Sequence, residues 1–210
     1  MAEVEEGRSA RKRAQIVEAA RSVFLRNGYV GASMDEVASL ASVSKQTVYK
    51  QFTDKEQLFA HLVISTAGEL DGVIKVVAAT LDNTEDLERD LGRLTRAFLD
   101  RLLEPDVLRL RRLIIAEADR FPDLGRSWYE LGFEPVLATL SAGFQRLAER
   151  GLLHADDPYL AANHLMGLLL WIPVNRAMFC GGASADYSDA ERAQLATSAV
   201  QAFLRAYGAK

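Results

Sequence analysis

A single cysteine, Cys180, stands among 210 residues, so no disulfide can form within the chain. That excludes a stapled extracellular scaffold and fits a reducing, cytoplasmic setting. The three histidines, His61, His154 and His164, lie far apart and share no ligand spacing. Neither a metal site nor a cofactor is expected. Long apolar runs are missing too. Between Asp157 and Arg176 there are 18 residues without formal charge, but Asn163, His164, Pro173 and Asn175 fall among them, which reads as a buried helix rather than a membrane span. The opening MAEVEEGRSARKRAQ has no apolar segment of the signal-peptide kind. Strand-like alternation, hairpin turns and internal repeats are absent, which leaves an all-α chain. Enzyme chemistry finds no foothold. Glu117, Asp119 and Arg112, or His164 with Asn163, have no nucleophile–base spacing, and Gly181-Gly182 follows a helix as a stop rather than opening a phosphate loop. Glu117 reads as an ion-pair partner and His164 as a core histidine.

Charge is distributed unevenly. The net charge is −4 overall, yet residues 8–60 carry nine Lys/Arg against five Asp/Glu. A basic N-terminal module on an acidic body suits a protein that meets phosphates. Residues 1–8 carry no hydrophobic pattern and are expected to be a disordered tail. Ile16, Ala19, Ala20, Val23 and Phe24 then recur at helical spacing until Gly28. Arg8, Arg11, Lys12 and Arg13 at the start of that helix sit where acids would be favoured, and either a place beside DNA or a solvated tail explains them.

The densest stretch is Ser33 to Lys55. Ser33-Met34-Asp35-Glu36 reads as a capping box, with Val37 and Leu40 on one face of a short helix. Ser44 is a second N-cap, and Val48 and Phe52 form the inner face of a second short helix. Asp54-x-x-Gln57 caps a third helix, beginning at Lys55. On the outer side of the second short helix, Gln46 and Lys50 stand opposite Val48, flanked by Thr47 and Tyr49. A cation, amide donors and a phenol in that arrangement suit phosphates and base edges. Cap, helix, turn, cap, helix and cap within 23 residues make a helix-turn-helix the better reading than a solvated face.

Residues 9 to 59 resemble the DNA-binding domain of the TetR family of transcriptional regulators, through Val37-Ala38, Ala41-Ser42-Val43-Ser44, Thr47-Val48-Tyr49, Phe52 and Lys55-Glu56-Gln57-Leu58. Ser42 stands where the family usually has glycine. A left-handed residue there costs about 1 kcal/mol. Position by position, the resemblance implies that Lys45, Gln46 and Tyr49 face base edges while Ser33, Thr47, Lys50 and Lys55 hold phosphates, and Ser44 counts among the DNA-binding residues.

Downstream, the apolar pattern predicts one long helix from Lys55 through Leu58, Phe59, Leu62, Val63 and Leu70 to about Thr80. Further helices are expected from Leu87 to Leu102, from Pro105 to about Arg120, from Leu124 to Arg150 with an interruption at Gly132 and Pro135, from Pro158 to Cys180, and from Ser188 to Tyr207 behind a capping box. Leu113-Ile114-Ile115-Ala116-Glu117-Ala118, Arg120-Phe121-Pro122-Asp123-Leu124, Tyr129-Glu130, Arg150-Gly151-Leu152 and Asp157-Pro158 resemble the AefR-like C-terminal domain of one TetR subgroup. The expected organisation is a DNA-binding domain over 9–54 and a ligand-binding and dimerisation domain over 55–210.

The function expected is a homodimeric repressor on a palindromic operator, released by a small apolar or amphipathic effector. The alternative is a DNA-organising protein that answers no ligand. Phe98, Leu102, Trp128, Phe144, Met166 and Trp171 either fill a plain core or line an effector cavity, against which Leu62, Val63 and Thr66 would lie. Dimerisation is expected through the last two helices, with Leu169 and Ala199 at the interface.

Overall fold

The computed structural model describes residues 2–68, 71–180 and 186–209. The order of elements is α1 (Ala2–Gly31), α2 (Met34–Leu40), α3 (Lys45–Gln51), α4 (Lys55–Gly68), α5 (Asp71–Asp82), α6 (Leu87–Leu102), α7 (Pro105–Glu117), α8 (Pro122–Trp128), a π-helical turn (Tyr129–Phe133), α9 (Glu134–Glu149), α10 (Pro158–Cys180) and α11 (Asp189–Tyr207). No strand occurs among the described residues, and no helix there is long and apolar enough to cross a membrane.

Helix α1 reaches back to Ala2, through the residues expected to form a disordered tail. Ala, Glu and Arg are good helix formers, and the segment is rich in them. At its other end Gly28 breaks the helix at φ 69° and ψ 177°, a conformation nearly restricted to glycine. The long helix expected from Lys55 to Thr80 is described as two, α4 and α5. Residues 69–70 between them, with the expected apolar contact Leu70, lie outside the described residues, as does the Gly181-Gly182 stop.

The chain divides into two compact units. The first comprises residues 1–68 and 109–128, the second 69–108 and 129–210. This differs from a cut after residue 54. Helix α4 stays with the first unit, and α8 with the later part of α7 returns to it.

In the first unit, Ile16, Ala20, Val23 and Phe24 of α1 are buried with Val37, Val48, Phe52, Leu58, Phe59, Leu62 and Val63. Leu110 and Ile114 of α7 complete the same core, and Phe121, Leu124 and Trp128 pack against it. Tyr29 is fixed by Phe121 at 4.8 Å and Phe59 at 5.1 Å between ring centroids. Helices α2 and α3, of seven residues each, bury little by themselves, and the returning segment adds apolar surface to the core that α1 and α4 build with them.

In the second unit α6, α9, α10 and α11 pack around Leu91, Leu94, Phe98, Leu99, Phe144, Leu165, Leu169, Val200 and Phe203. A Cβ at Gly143 would lie 3.2 Å from Leu81 Cβ and run into that side chain, so the glycine lets α5 and α9 approach closely. Asp86 caps α6, and Ser188 with Glu191 forms the complete capping box expected at α11. Arg96 bonds Asp100 on its own helix and Asp189 at the start of α11.

Helix α10 spreads its apolar residues around the whole circumference, which makes its inner face unreadable from periodicity. Leu169 and Ala199, expected at a dimer interface, are 0% and 3% exposed inside the protomer's own core. Tyr159, Leu160, Leu168, Trp171, Ile172 and Phe179 are the large apolar residues of α10 that face outwards. His164 is likewise exposed and bonded to the Tyr207 hydroxyl, not buried in the core.

Candidate nucleic-acid interface

Two short helices and the turn between them build the face. Ser33 Oγ accepts from the Glu36 amide at 3.2 Å and caps α2. Only half of the expected capping box forms. The Glu36 carboxylate is taken by Arg26 and by Asn27 Nδ2, the latter at 2.6 Å, which ties α2 to α1. Val37 and Ala38 fill the inner side of α2, while Leu40 is 49% exposed. In the turn, Ser42 adopts φ 53°, the left-handed conformation the sequence implied, and Val43 N donates to Ala38 O at 3.0 Å.

Ser44 then caps α3: its Oγ accepts from Thr47 N at 3.1 Å and pairs with the Thr47 hydroxyl at 2.8 Å. Val48 and Phe52 anchor α3 in the core, at 0% and 1% exposure. Burying each is worth roughly 1.5–3 kcal/mol, enough to hold a helix of two turns in one orientation. With that face fixed, Lys45, Gln46, Tyr49 and Lys50 are exposed together, and Thr47 lies half-buried beside them.

The electrostatics of the face differ from the sequence reading at two lysines. Lys45 Nζ lies 2.7 Å from Asp35 Oδ1 and 5.9 Å from the Tyr49 ring centroid. Hydrogen bonding and charge from Asp35 raise the Lys45 pKa above its ordinary value. Lys55 is further from the expectation. Its ammonium donates to the carbonyls of Tyr29 at 2.8 Å, Ala32 at 3.0 Å and Val30 at 3.3 Å, and sits 4.7 Å from the Tyr29 ring centroid. An ammonium has three donors, and here all three are committed to the end of α1 and the residue that follows it. Lys55 therefore holds the connection between α1 and α2 in place of reaching outwards for a phosphate.

Of the basic cluster at the start of α1, Arg13 is also engaged. Its guanidinium lies 4.7 Å from the Phe52 ring centroid, and Nη2 is 3.5 Å from His61 Nδ1. Arg11 and Lys12 are exposed.

The nine residues expected around an effector divide between the two units. Leu62, Val63 and Thr66 are buried on α4 in the first unit, with the Thr66 hydroxyl donating to Leu62 O at 2.9 Å. Trp128 packs against that same core, and its Nε1 is buried without a hydrogen-bond partner. Phe98 and Phe144 are buried in the second unit's core, where Phe144 meets Phe203 at 5.1 Å between centroids, and Leu102 and Met166 pack partly buried beside them. Trp171 is 72% exposed and lines no interior.

Sequence reasoning missed the Asp35–Lys45 pair and the three-carbonyl anchor of Lys55. The first was hidden because Asp35 was absorbed into the capping box. The second involves acceptors on the main chain, which side-chain patterns do not mark.

Comparison with known proteins bears on both parts of the chain. The profile of bacterial regulatory proteins, tetR family, matches residues 16–62, and that of the AefR-like transcriptional repressor, C-terminal domain, matches residues 89–209. A crystal structure from Mesorhizobium loti MAFF303099, described as a TetR-family transcriptional regulator, is 51% identical with a TM-score of 0.90, over 96% of this chain and 98% of that one. The flavonoid-responsive regulator FrrA is similar at 26% identity and a TM-score of 0.68, over 95% of this chain and 98% of that one. The transcriptional activator FasR of Mycolicibacterium smegmatis is 34% identical over 89 residues, which are 42% of this chain and 39% of that protein. The chain thus matches well under half the length of that curated relative.

Proposed function

The chain belongs to the TetR family of bacterial regulatory proteins, which are transcriptional regulators and not enzymes, and on that premise we propose a sequence-specific repressor that binds a palindromic operator as a homodimer and leaves it when a small apolar or amphipathic effector binds. The observation that carries the DNA-binding part is the outer face of α3. Lys45, Gln46, Tyr49 and Lys50 are exposed on a helix whose orientation Val48 and Phe52 fix from below. Ser33, Ser44 and Thr47 supply hydroxyls at the adjoining helix starts. Repression is favoured by the AefR-like repressor profile over 89–209.

The homodimer rests on the outer face of α10, where Trp171, Ile172 and Phe179 are 72%, 58% and 86% exposed. An apolar face of that kind calls for a partner, and a second copy brings a second reading head. A palindrome with half-sites about one helical turn apart is the matching DNA.

The effector rests on the returning segment of the first unit. Trp128 Nε1 and Arg112 Nε are buried donors with no acceptor. Buried donors are normally satisfied, and a ligand with an apolar body and an oxygen acceptor would satisfy them. FrrA, a relative of matching length, is named as flavonoid-responsive.

The test is selection of bound duplexes from a random pool, followed by titrations at several salt concentrations. A two-fold symmetric motif is expected. Lys50→Ala should weaken binding to all sequences and lower the salt slope by about one, while Gln46→Ala should relax preference at one position by about 1–3 kcal/mol. Binding without sequence preference, unaffected by any compound that raises the melting temperature, would favour the DNA-organising protein instead.

A further inference from the structure

Asp35 is an acid on a face that meets a polyanion. It stands in the first turn of α2, where the helix dipole favours an acid, but it neither caps that helix nor ties it to α1. Ser33 caps α2 through the Glu36 amide, and Glu36 itself ties α2 to α1. The Asp35 carboxylate faces Lys45 instead, at 2.7 Å from Oδ1 and 3.0 Å from Oδ2. Both side chains remain largely open, at 59% exposure for Lys45 and 64% for Asp35. Lys45 also lies near the Tyr49 ring on the outer face of α3, and Asp35 meets it there from the first turn of α2.

We propose that Asp35 and Lys45 together read one G·C base pair in each half-site, with the Lys45 ammonium on guanine O6 and N7 and the Asp35 carboxylate on the N4 amino group of the paired cytosine. The inference rests on the DNA-binding reading above and deepens it. Guanine O6 and cytosine N4 are hydrogen-bonded to each other, so the acceptor and donor they show in the major groove are about 2.9 Å apart. The ion pair offers a donor and an acceptor at that same spacing. After one N–H bonds Asp35, the ammonium keeps two more, one for O6 and one for N7. A T·A pair also shows an acceptor beside a donor. It places the thymine methyl where guanine has N7, and a cation gains nothing from that methyl. Reversing the pair to C·G sets the carboxylate against acceptors. The acid thereby makes recognition directional, which a lone lysine would not.

The experiment compares motifs selected from random duplexes by full-length wild type and Asp35→Ala. Wild type should select a G·C pair at one mirrored position in each half-site. Asp35→Ala should keep the remaining motif, which also shows that it folds, and lose about tenfold preference at that position alone. Its binding to random DNA should hold or tighten, since an anion has been removed. Independently of any variant, wild type should lose about fivefold in affinity when 7-deazaguanine replaces that guanine. An unchanged motif with Asp35→Ala, or no loss with 7-deazaguanine, overturns this inference and leaves the regulator reading intact. A wild-type protein that selects no motif overturns both.

Discussion

At the scale of single residues, the two lysines that resemble each other in sequence do different work. Lys50 is exposed on the outer face of α3, whereas Lys55 spends its ammonium on three carbonyls. Lys55→Met should therefore destabilise the protein by about 1–3 kcal/mol in a denaturant titration, because main-chain acceptors lose charged donors. Once allowance is made for the unfolded fraction, the salt slope of DNA binding should stay as in wild type. A slope reduced by about one with unchanged stability would return Lys55 to the phosphates. His61 offers a second measurement. Burial, and then the charge of Arg13, hold its pKa below the ordinary value of 6.5. The unfolded chain then takes up the proton first, so the contribution is complete above the unfolded pKa and is lost as pH falls below it towards the folded one. Stability followed from about pH 7.5 to about pH 5.5 should fall, and His61→Asn should flatten that slope. An unaltered slope in the variant would assign the effect to carboxylates.

At the scale of elements, the proposed homodimer turns on α10. Both faces are apolar, and tertiary packing chose Leu165, Leu169 and Ala177 for the interior. Trp171→Glu should therefore yield a folded monomer in sedimentation, with normal helical content and weak operator binding. Leu169→Arg should unfold the protomer itself, since it forces a charge into a site with 0% exposure. A dimeric Trp171→Glu protein would move the interface elsewhere. The other elements were more legible. Pro105 and Ser188 announced the starts of α7 and α11 to within a residue because caps are local chemistry. The interruption foreseen at Gly132 and Pro135 is a π-helical turn, Tyr129–Phe133, where the missing proline donor and the glycine relax the regular ladder.

At the scale of the whole molecule, the chain does not fold as a bead followed by a body. Residues 109–128 return to the first unit, and Leu110 and Ile114 lie in one core with Phe59 and Leu62. A fragment ending at Gly68 should consequently lack a cooperative thermal transition in circular dichroism, while the full chain shows one. A cooperative melt of the fragment at the full chain's temperature would show the returning segment to be dispensable. The sequence by itself determined the helical class, the caps of α2, α3 and α11, and the outward Gln46 and Lys50 on α3, while the family resemblance pointed to the left-handed turn at Ser42 and to Lys45. Each of these depends on residues within about one or two turns of one another. Only the tertiary structure decided which face of α10 is buried, where Lys55 and Asp35 send their charges, and which helices complete the first core. Those choices join residues far apart in the chain, and they follow from which surfaces together bury the most apolar area while leaving the fewest polar groups unpaired.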